Sequence, residues 1–145
     1  MNEVPIKTWT VPADLENVNR ICSEISAWLT EHDLSDHFFP LELLVREAFN
    51  NAVIHGSQMD SSRTVRMEFS RDGDHFSLKV QDDGPGFDWE SLLQTDMVGV
   101  INEHGRGLTL YQLYADQVKF NEKGNQVILI RHINDKTKPK SIEID

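Results

Sequence analysis

The chain has 145 residues, which suits one domain with a single core, and we predict that residues 1–145 form one domain. Its 39% hydrophobic and 26% charged residues are typical of a globular protein, and no apolar run reaches the roughly 18 residues of a membrane span. A formal net charge of -10 repels nucleic acid and anionic membranes, so we exclude both as partners.

The N-terminus and the cysteine content bear on the cellular compartment. Residues 1–5 contain no basic region followed by an apolar run, so we expect no secretory signal. The single cysteine, Cys22, cannot form an internal disulfide, and its helical apolar surroundings predict a small buried side chain without chemistry. We therefore expect a cytoplasmic protein.

The first part of the chain predicts one strand and two helices. Residues 6–11 contain alternating β-branched and aromatic side chains, which predicts a strand that ends at Pro12. Apolar side chains then recur every three or four positions over residues 13–33, which predicts a long helix. A second helix is expected over residues 40–56, with one apolar stripe. That stripe consists of Leu41, Leu44, Val45, Ala48 and Ala52.

Two hairpins are predicted in the second half of the chain. Residues 64–70 and 75–81 alternate apolar and polar side chains around a short polar turn, and residues 118–121 and 127–132 do the same. Alternation of this kind indicates strands with one buried face, as in antiparallel sheets. We therefore expect helices to cover one face of this sheet.

The segments around these hairpins are less regular. Residues 88–95 are compatible with a short helix, residues 97–104 have no periodicity, and residues 108–114 again read as a helix. The polar, lysine-bearing residues 134–145 are expected to fray. Because helices and hairpins come in runs, we predict an α+β two-layer sandwich with a mixed, mostly antiparallel sheet covered by helices on one face.

One edge of the second helix carries a regular polar line. Glu47, Asn51 and His55 are four residues apart, so they share a helix edge at the border of the apolar stripe. Asn50 competes with Asn51 as a functional amide but turns about 100° away from that edge. By itself such a line is also what the solvent edge of an amphipathic helix looks like.

Two glycine motifs follow later in the chain. Asp82-Asp83-Gly84-Pro85-Gly86-Phe87, taken alone, is compatible with an acidic turn that closes a strand. Gly105-Arg106-Gly107 precedes a predicted helix, where exposed amides beside glycines can bind an anion. No P-loop, dinucleotide-binding fingerprint, cysteine–histidine metal set or nucleophilic serine elbow occurs in the sequence.

In this order and spacing, Glu47 to Asn51, Asp82-x-Gly84-x-Gly86 and Gly105-x-Gly107 resemble the ATP-binding module of the gyrase, histidine-kinase and MutL superfamily. The resemblance covers residues 41–132. With the flanking strand and helix, the chain is similar to the compact serine-kinase anti-sigma factors of bacteria. The resemblance implies a Bergerat-type ATP-binding fold with ATP and Mg²⁺ as cofactors.

The resemblance also implies roles for single residues. Asp82 accepts a hydrogen bond from the adenine amino group, which selects ATP over GTP. Gly84 and Gly86 let the backbone approach the base. Asn51 binds Mg²⁺, for which an amide oxygen is a suitable ligand, and Glu47 is the catalytic base.

The remaining implied roles concern the phosphates. Gly105, Arg106 and Gly107 bind them through backbone amides, while the sequence leaves open whether the Arg106 side chain contacts a terminal phosphate or is solvated. Residues 97–104 correspond to the mobile lid of the superfamily. His55 is expected to be structural.

The function implied is that of an ATP-dependent protein serine kinase and anti-sigma factor. It would phosphorylate a serine-bearing anti-sigma-factor antagonist and sequester a sigma factor, and a homodimer is compatible with the resemblance. The alternatives are an ATP-binding switch without kinase activity and a detached histidine-kinase ATPase domain. Glu47 favours chemistry over a switch.

Overall fold

The computed structural model describes residues 5–86, 110–134 and 141–144. Two helices, α1 (Asn17–Glu31) and α2 (Phe38–Asn51), lie between the first two strands; a 3-10 turn (Ser35–His37) precedes α2 and a π-helical turn (Ala52–Gly56) extends it. Residues 110–114 are also helical. The strands are β1 (Pro5–Pro12), β2 (Thr64–Asp72), β3 (His75–Asp82), β4 (Gln117–Phe120), β5 (Gln126–His132) and β6 (Ser141–Ile144).

The strands form one six-stranded sheet in the order β1-β2-β3-β5-β4-β6. All neighbours pair antiparallel except β4 and β6, which are parallel. Both predicted hairpins are present, as β2–β3 and β4–β5. The predicted fold class, an α+β sandwich on a mixed and mostly antiparallel sheet, is therefore confirmed.

The C-terminal residues differ from the expectation of a frayed tail. Ser141–Ile144 form strand β6, whose residues Ile142 and Ile144 are in register with Val118 and Phe120 of β4. The alternation of apolar and polar residues in this strand covers only four residues, which is too short to predict a strand after the polar residues that precede it. Pairing with the edge of β4 supplies the backbone hydrogen bonds that the local sequence cannot provide.

Both helices cover the same face of the sheet. The apolar stripe predicted for α2 is buried throughout, at 0–6% exposure, and so is the face shared by Val65, Met67 and Phe69 of β2. The opposite face of the sheet carries polar residues such as Thr8, Thr10, Arg66 and Glu68. Burial of each large apolar side chain stabilises the fold by about 1.5–3 kcal/mol, so this two-layer core fixes where α2 lies on the sheet.

Cys22 is buried in this core, at 3% exposure. Burial raises the pKa of its thiol to about 11, so the thiol stays protonated at neutral pH. The prediction that Cys22 is a buried side chain without chemistry agrees with this environment. Among the residues that the structure describes, no helix has the length and apolar character needed to cross a membrane.

Candidate nucleotide site

A cleft lies where the end of α2 meets the end of β3 and the turn between β4 and β5. Its empty space is about 390 Å³, including the open mouth. The described residues that line it are Ala48, Asn51, Ala52, His55, Gly56, Val80, Asp82, Tyr111, Gly124, Asn125, Gln126 and Val127. Apolar walls with a few polar groups are typical of small-molecule sites. His55, which we expected to be structural, also faces this cleft.

The end of the second helix is not α-helical. The sequence predicted one helix to Gly56, but its last turn, Ala52–Gly56, is a π turn in which the Ser57 amide donates to the Ala52 carbonyl at 2.7 Å. A π turn adds a residue to the ring closed by the hydrogen bond, and such turns are frequent at functional sites. Here it ends the helix with Gly56 against the loop after β3.

Two glycines let this turn and the β3 loop touch. A methyl group on Gly56 would overlap the Asp82 carboxylate, and one on Gly84 would overlap the Gly56 carbonyl oxygen. Only hydrogen fits at either Cα, so the backbones of the π turn and the β3 loop meet directly. The sequence motif predicts a site role for Gly84, whereas the sequence predicts Gly56 only as the last residue of the second helix.

Asp82 is the buried carboxylate of the cleft, at 6% exposure. Its Oδ1 accepts the Gly84 amide at 2.7 Å. Burial raises the pKa of this carboxyl, and the Gly84 hydrogen bond acts in the opposite direction. Among the residues that the structure describes, no cationic side chain is bonded to this carboxyl group. A carboxyl group in such a position stabilises the fold little, so its position suits ligand binding.

The turn between β4 and β5 holds the end of β3. Asn125 accepts the Asp82 amide through its backbone oxygen at 3.0 Å and donates its side-chain amide to the Asp82 carbonyl at 3.1 Å. Asn121 shapes the turn, since its Oδ1 accepts the backbone amides of Gly124, Asn125 and Gln126. The sequence predicts only a hairpin here, and the signal for this turn is an asparagine that can bond backbone amides.

Gly86 packs against the same turn. It has φ +96°, and a methyl group there would overlap the Lys123 carbonyl oxygen. A positive φ strains residues with a side chain, so glycine is required at this position on two grounds. Its position therefore shapes the loop beside the cleft.

Asn51 is held by a residue that the sequence did not single out. Its Nδ2 donates to the Tyr111 hydroxyl at 3.1 Å, and Tyr111 is 1% exposed. Because the amide group is planar, this bond to Nδ2 makes the Asn51 oxygen point away from the Tyr111 hydroxyl. The oxygen is then available as a ligand for a cation. The pair lies 60 residues apart in sequence, which is why helical spacing alone could not find Tyr111.

We expect Tyr111→Phe to loosen this arrangement without unfolding the chain. Loss of one buried hydrogen bond should lower the free energy of unfolding by about 1 kcal/mol. ATP affinity should fall several-fold in Mg²⁺ and stay unchanged in chelator, because only the cation depends on the Asn51 oxygen. Calorimetry under both conditions tests this, with Tyr114→Phe as the control. An equal loss with and without Mg²⁺ would contradict a positioning role.

Glu47 lies one helical turn before Asn51 on α2 and is half-buried. It is not among the described residues that line the cleft, but its charge helps to raise the pKa of Tyr111, after the larger effect of burial. Glu47 therefore lies close to the Asn51–Tyr111 pair. Gly105, Arg106, Gly107 and the lid residues 97–104 lie outside the described residues.

A family model described as a histidine kinase-like ATPase domain matches residues 11–131. The chain belongs to this family. An anti-sigma F factor of Halalkalibacterium halodurans is 30% identical over 125 residues, covering 81% of this chain and 84% of that protein. The serine-protein kinase RsbW of Bacillus subtilis is 29% identical over 133 residues, covering 86% and 83%.

A third relative has the same kind of name. An anti-sigma F factor of Clostridium perfringens (strain 13) is 26% identical over 129 residues, covering 84% of this chain and 92% of that protein. The resemblance to serine-kinase anti-sigma factors, predicted from three motifs with the flanking strand and helix, is thereby confirmed at the level of the family.

The side chains in and beside the cleft of this histidine kinase-like ATPase domain are of the kinds that suit an adenine nucleotide. The buried Asp82 carboxylate can accept from an amino group, and Val80 and Val127 offer apolar surface to a flat base. Asn51 and Glu47 offer oxygen ligands of the kind that Mg²⁺ prefers. The direct packing of Gly56 on Gly84 keeps side chains out of the space beside Asp82.

Proposed function

We propose that this protein is a cytoplasmic ATP-dependent protein serine kinase that also acts as an anti-sigma factor. It would phosphorylate a serine of a small antagonist protein and bind a sigma factor when that antagonist is absent. The names of the relatives support both halves of this proposal. The observation that carries it is the buried Asp82 in one cleft with Asn51, since a buried carboxylate and an amide oxygen are groups that suit an adenine amino group and a cation.

The proposal gives each of these side chains a role. Asp82 accepts the adenine amino group, and Gly84 and Gly86 shape the loop beside the base. Asn51 would hold Mg²⁺, which would supply positive charge to the phosphates. Glu47 orients the serine hydroxyl and takes its proton while the serine oxygen bonds to the γ-phosphorus of ATP. The bond between the γ-phosphorus and its bridging oxygen breaks, and that oxygen leaves with ADP.

The phosphates would be bound by the second glycine motif. Gly105, Arg106 and Gly107 supply backbone amides, with Arg106 as a cation for the terminal phosphate in this proposal. A chain with net charge -10 needs such local groups to hold a triphosphate.

A capture experiment tests this function. The purified chain is immobilised and exposed to lysate of its native cell with Mg²⁺ and either ATP or ADP, and recovered proteins are then purified and incubated with labelled ATP. We expect a small protein that becomes phosphorylated on serine and a sigma factor that competes with it for the chain. Phosphohistidine would favour a detached histidine-kinase domain, and binding without transfer would favour an ATP-dependent switch.

A further inference from the structure

A second cluster of ligating side chains lies at the other end of β3 from the cleft. Asp74 is in the β2–β3 turn, His75 begins β3, and His132 ends β5. His75 and His132 are register partners across the two strands, and their rings lie 5.7 Å apart between centroids. Seven residues separate His75 from Asp82, or about 23 Å along a strand. This cluster is therefore distinct from the nucleotide site.

The three side chains converge on one point. Asp74 Oδ1 lies 3.7 Å from His75 Nδ1 and 4.0 Å from His132 Nδ1, and one ligand atom of each residue lies within 4.8 Å of the others. Ligands about 2.0–2.1 Å from a tetrahedral Zn²⁺ are about 3.3 Å apart, so a small contraction would bring them into range. The Asp74 side chain is 56% exposed and can move toward both imidazoles. The separation between the imidazoles closes by rotation of the His75 side chain, which is 22% exposed.

His132 contributes a buried ring nitrogen that lacks a hydrogen bond within the described part of the chain. Its side chain is only 9% exposed, and its buried Nδ1 has no hydrogen-bond partner among the residues that the structure describes. A buried imidazole nitrogen without a partner is costly, and this one faces the Asp74 carboxylate. A metal ion between them would satisfy it.

The backbone around the cluster is fixed. The Ile133 amide donates to the Asp74 carbonyl at 2.7 Å, and the His132 amide donates to Asp116 Oδ2 at 2.7 Å. The first bond joins the β2–β3 turn to the residue after β5, and the second joins the end of β5 to the residue before β4. The backbone of the ligand set therefore needs little ordering on binding. A preorganised ligand set raises metal affinity because less conformational freedom is lost.

We propose that Asp74, His75 and His132 form a binding site for a divalent first-row metal ion, and Zn²⁺ is the ion that we expect it to bind. Two imidazoles and one carboxylate are a ligand set that Zn²⁺ takes with water in the fourth position, whereas Mg²⁺ prefers oxygen ligands alone. The net charge of -10 favours any dication near the surface. The bound metal would tie the β2–β3 turn to the end of β5.

Titration of the full chain with Zn²⁺, without nucleotide and with excess Mg²⁺, tests the site. We expect one saturable Zn²⁺ per chain, a melting temperature that rises with Zn²⁺, and visible Co²⁺ absorption typical of four-coordinate sites. Asp74→Ala and His75→Ala should each weaken binding by more than about tenfold.

Matched variants separate this site from unspecific attraction. Glu122→Ala removes an exposed carboxylate from the β4–β5 turn, at the other end of the sheet, and should bind Zn²⁺ as the wild type does. Circular dichroism of every variant establishes that it is folded. The proposal is overturned by wild-type protein that shows no saturable Zn²⁺ binding. Equal affinity in the wild type, Asp74→Ala and His75→Ala would overturn it as well.

Discussion

Under the proposed function, Glu47→Gln is expected to leave ATP binding nearly intact and to slow transfer to the serine of the proposed antagonist by about 10²–10⁴-fold, the usual contribution of a general base. Glutamine keeps the size and helix propensity of glutamate but accepts no proton at neutral pH. Glu47 lies beside the Asn51–Tyr111 pair and outside the described lining of the cleft, so adenine contacts should not change.

Single-turnover transfer of labelled phosphate measures this effect, with calorimetry for ATP affinity. Glu42→Gln is a suitable control, because Glu42 is on the same helix but pairs with Arg46 at its surface. Surface pairs of this kind contribute little to stability, so transfer by the control should match the wild type. Unchanged transfer by Glu47→Gln would remove Glu47 from the catalytic assignment.

Asp82→Asn is expected to weaken ATP binding by about 10–100-fold, as loss of a hydrogen bond to a charged group predicts. A carboxylate can accept both from the Gly84 amide and from the adenine amino group, whereas an amide carries one oxygen only. Discrimination against GTP should fall with it. Competition binding of ATP and GTP measures both quantities.

The same substitution should not destabilise the fold. Burial raises the pKa of Asp82, so the folded state binds its proton more readily than the unfolded state. The ionised side chain therefore costs stability at neutral pH, and this cost is relieved as the pH falls through the raised pKa. We expect Asp82→Asn to melt no lower than the wild type at pH 7.

Asp83 provides the control for both measurements. It is the exposed neighbour of Asp82, and hydrogen bonds from Thr64 lower the pKa of its carboxyl. Asp83→Asn should keep wild-type ATP affinity. In the wild type, the ionised Asp83 side chain makes a small contribution to stability, which should be lost as the pH falls through that lowered pKa. An ATP affinity that is unaltered in Asp82→Asn would remove Asp82 from the site.

Local periodicity determined much of the fold. The burial of Leu41, Leu44 and Ala48 on α2 follows from a repeat of three and four residues, and the two hairpins follow from alternation around polar turns. These patterns are properties of neighbouring residues, so they can be found without knowing what packs against them. The same spacing placed Glu47 and Asn51 on one helix edge.

Contacts between distant residues were decided only by the tertiary structure. The Tyr111 hydroxyl reaches Asn51 across 60 residues, and Asn125 reaches Asp82 across 43. The π turn ending at Gly56 depends on its close packing against the β3 loop, and strand β6 depends on the edge that β4 offers.

The sequence by itself therefore determined which residues could act, namely a carboxylate and an amide on one helix edge and a carboxylate before two glycines. The tertiary structure decided their environments. It buries Asp82 between two glycine backbones, ties Asn51 to a buried tyrosine, and places His132 beside Asp74 at the far end of the sheet. Burial and long-range hydrogen bonds depend on how the layers pack, and the chemistry of a side chain depends on both.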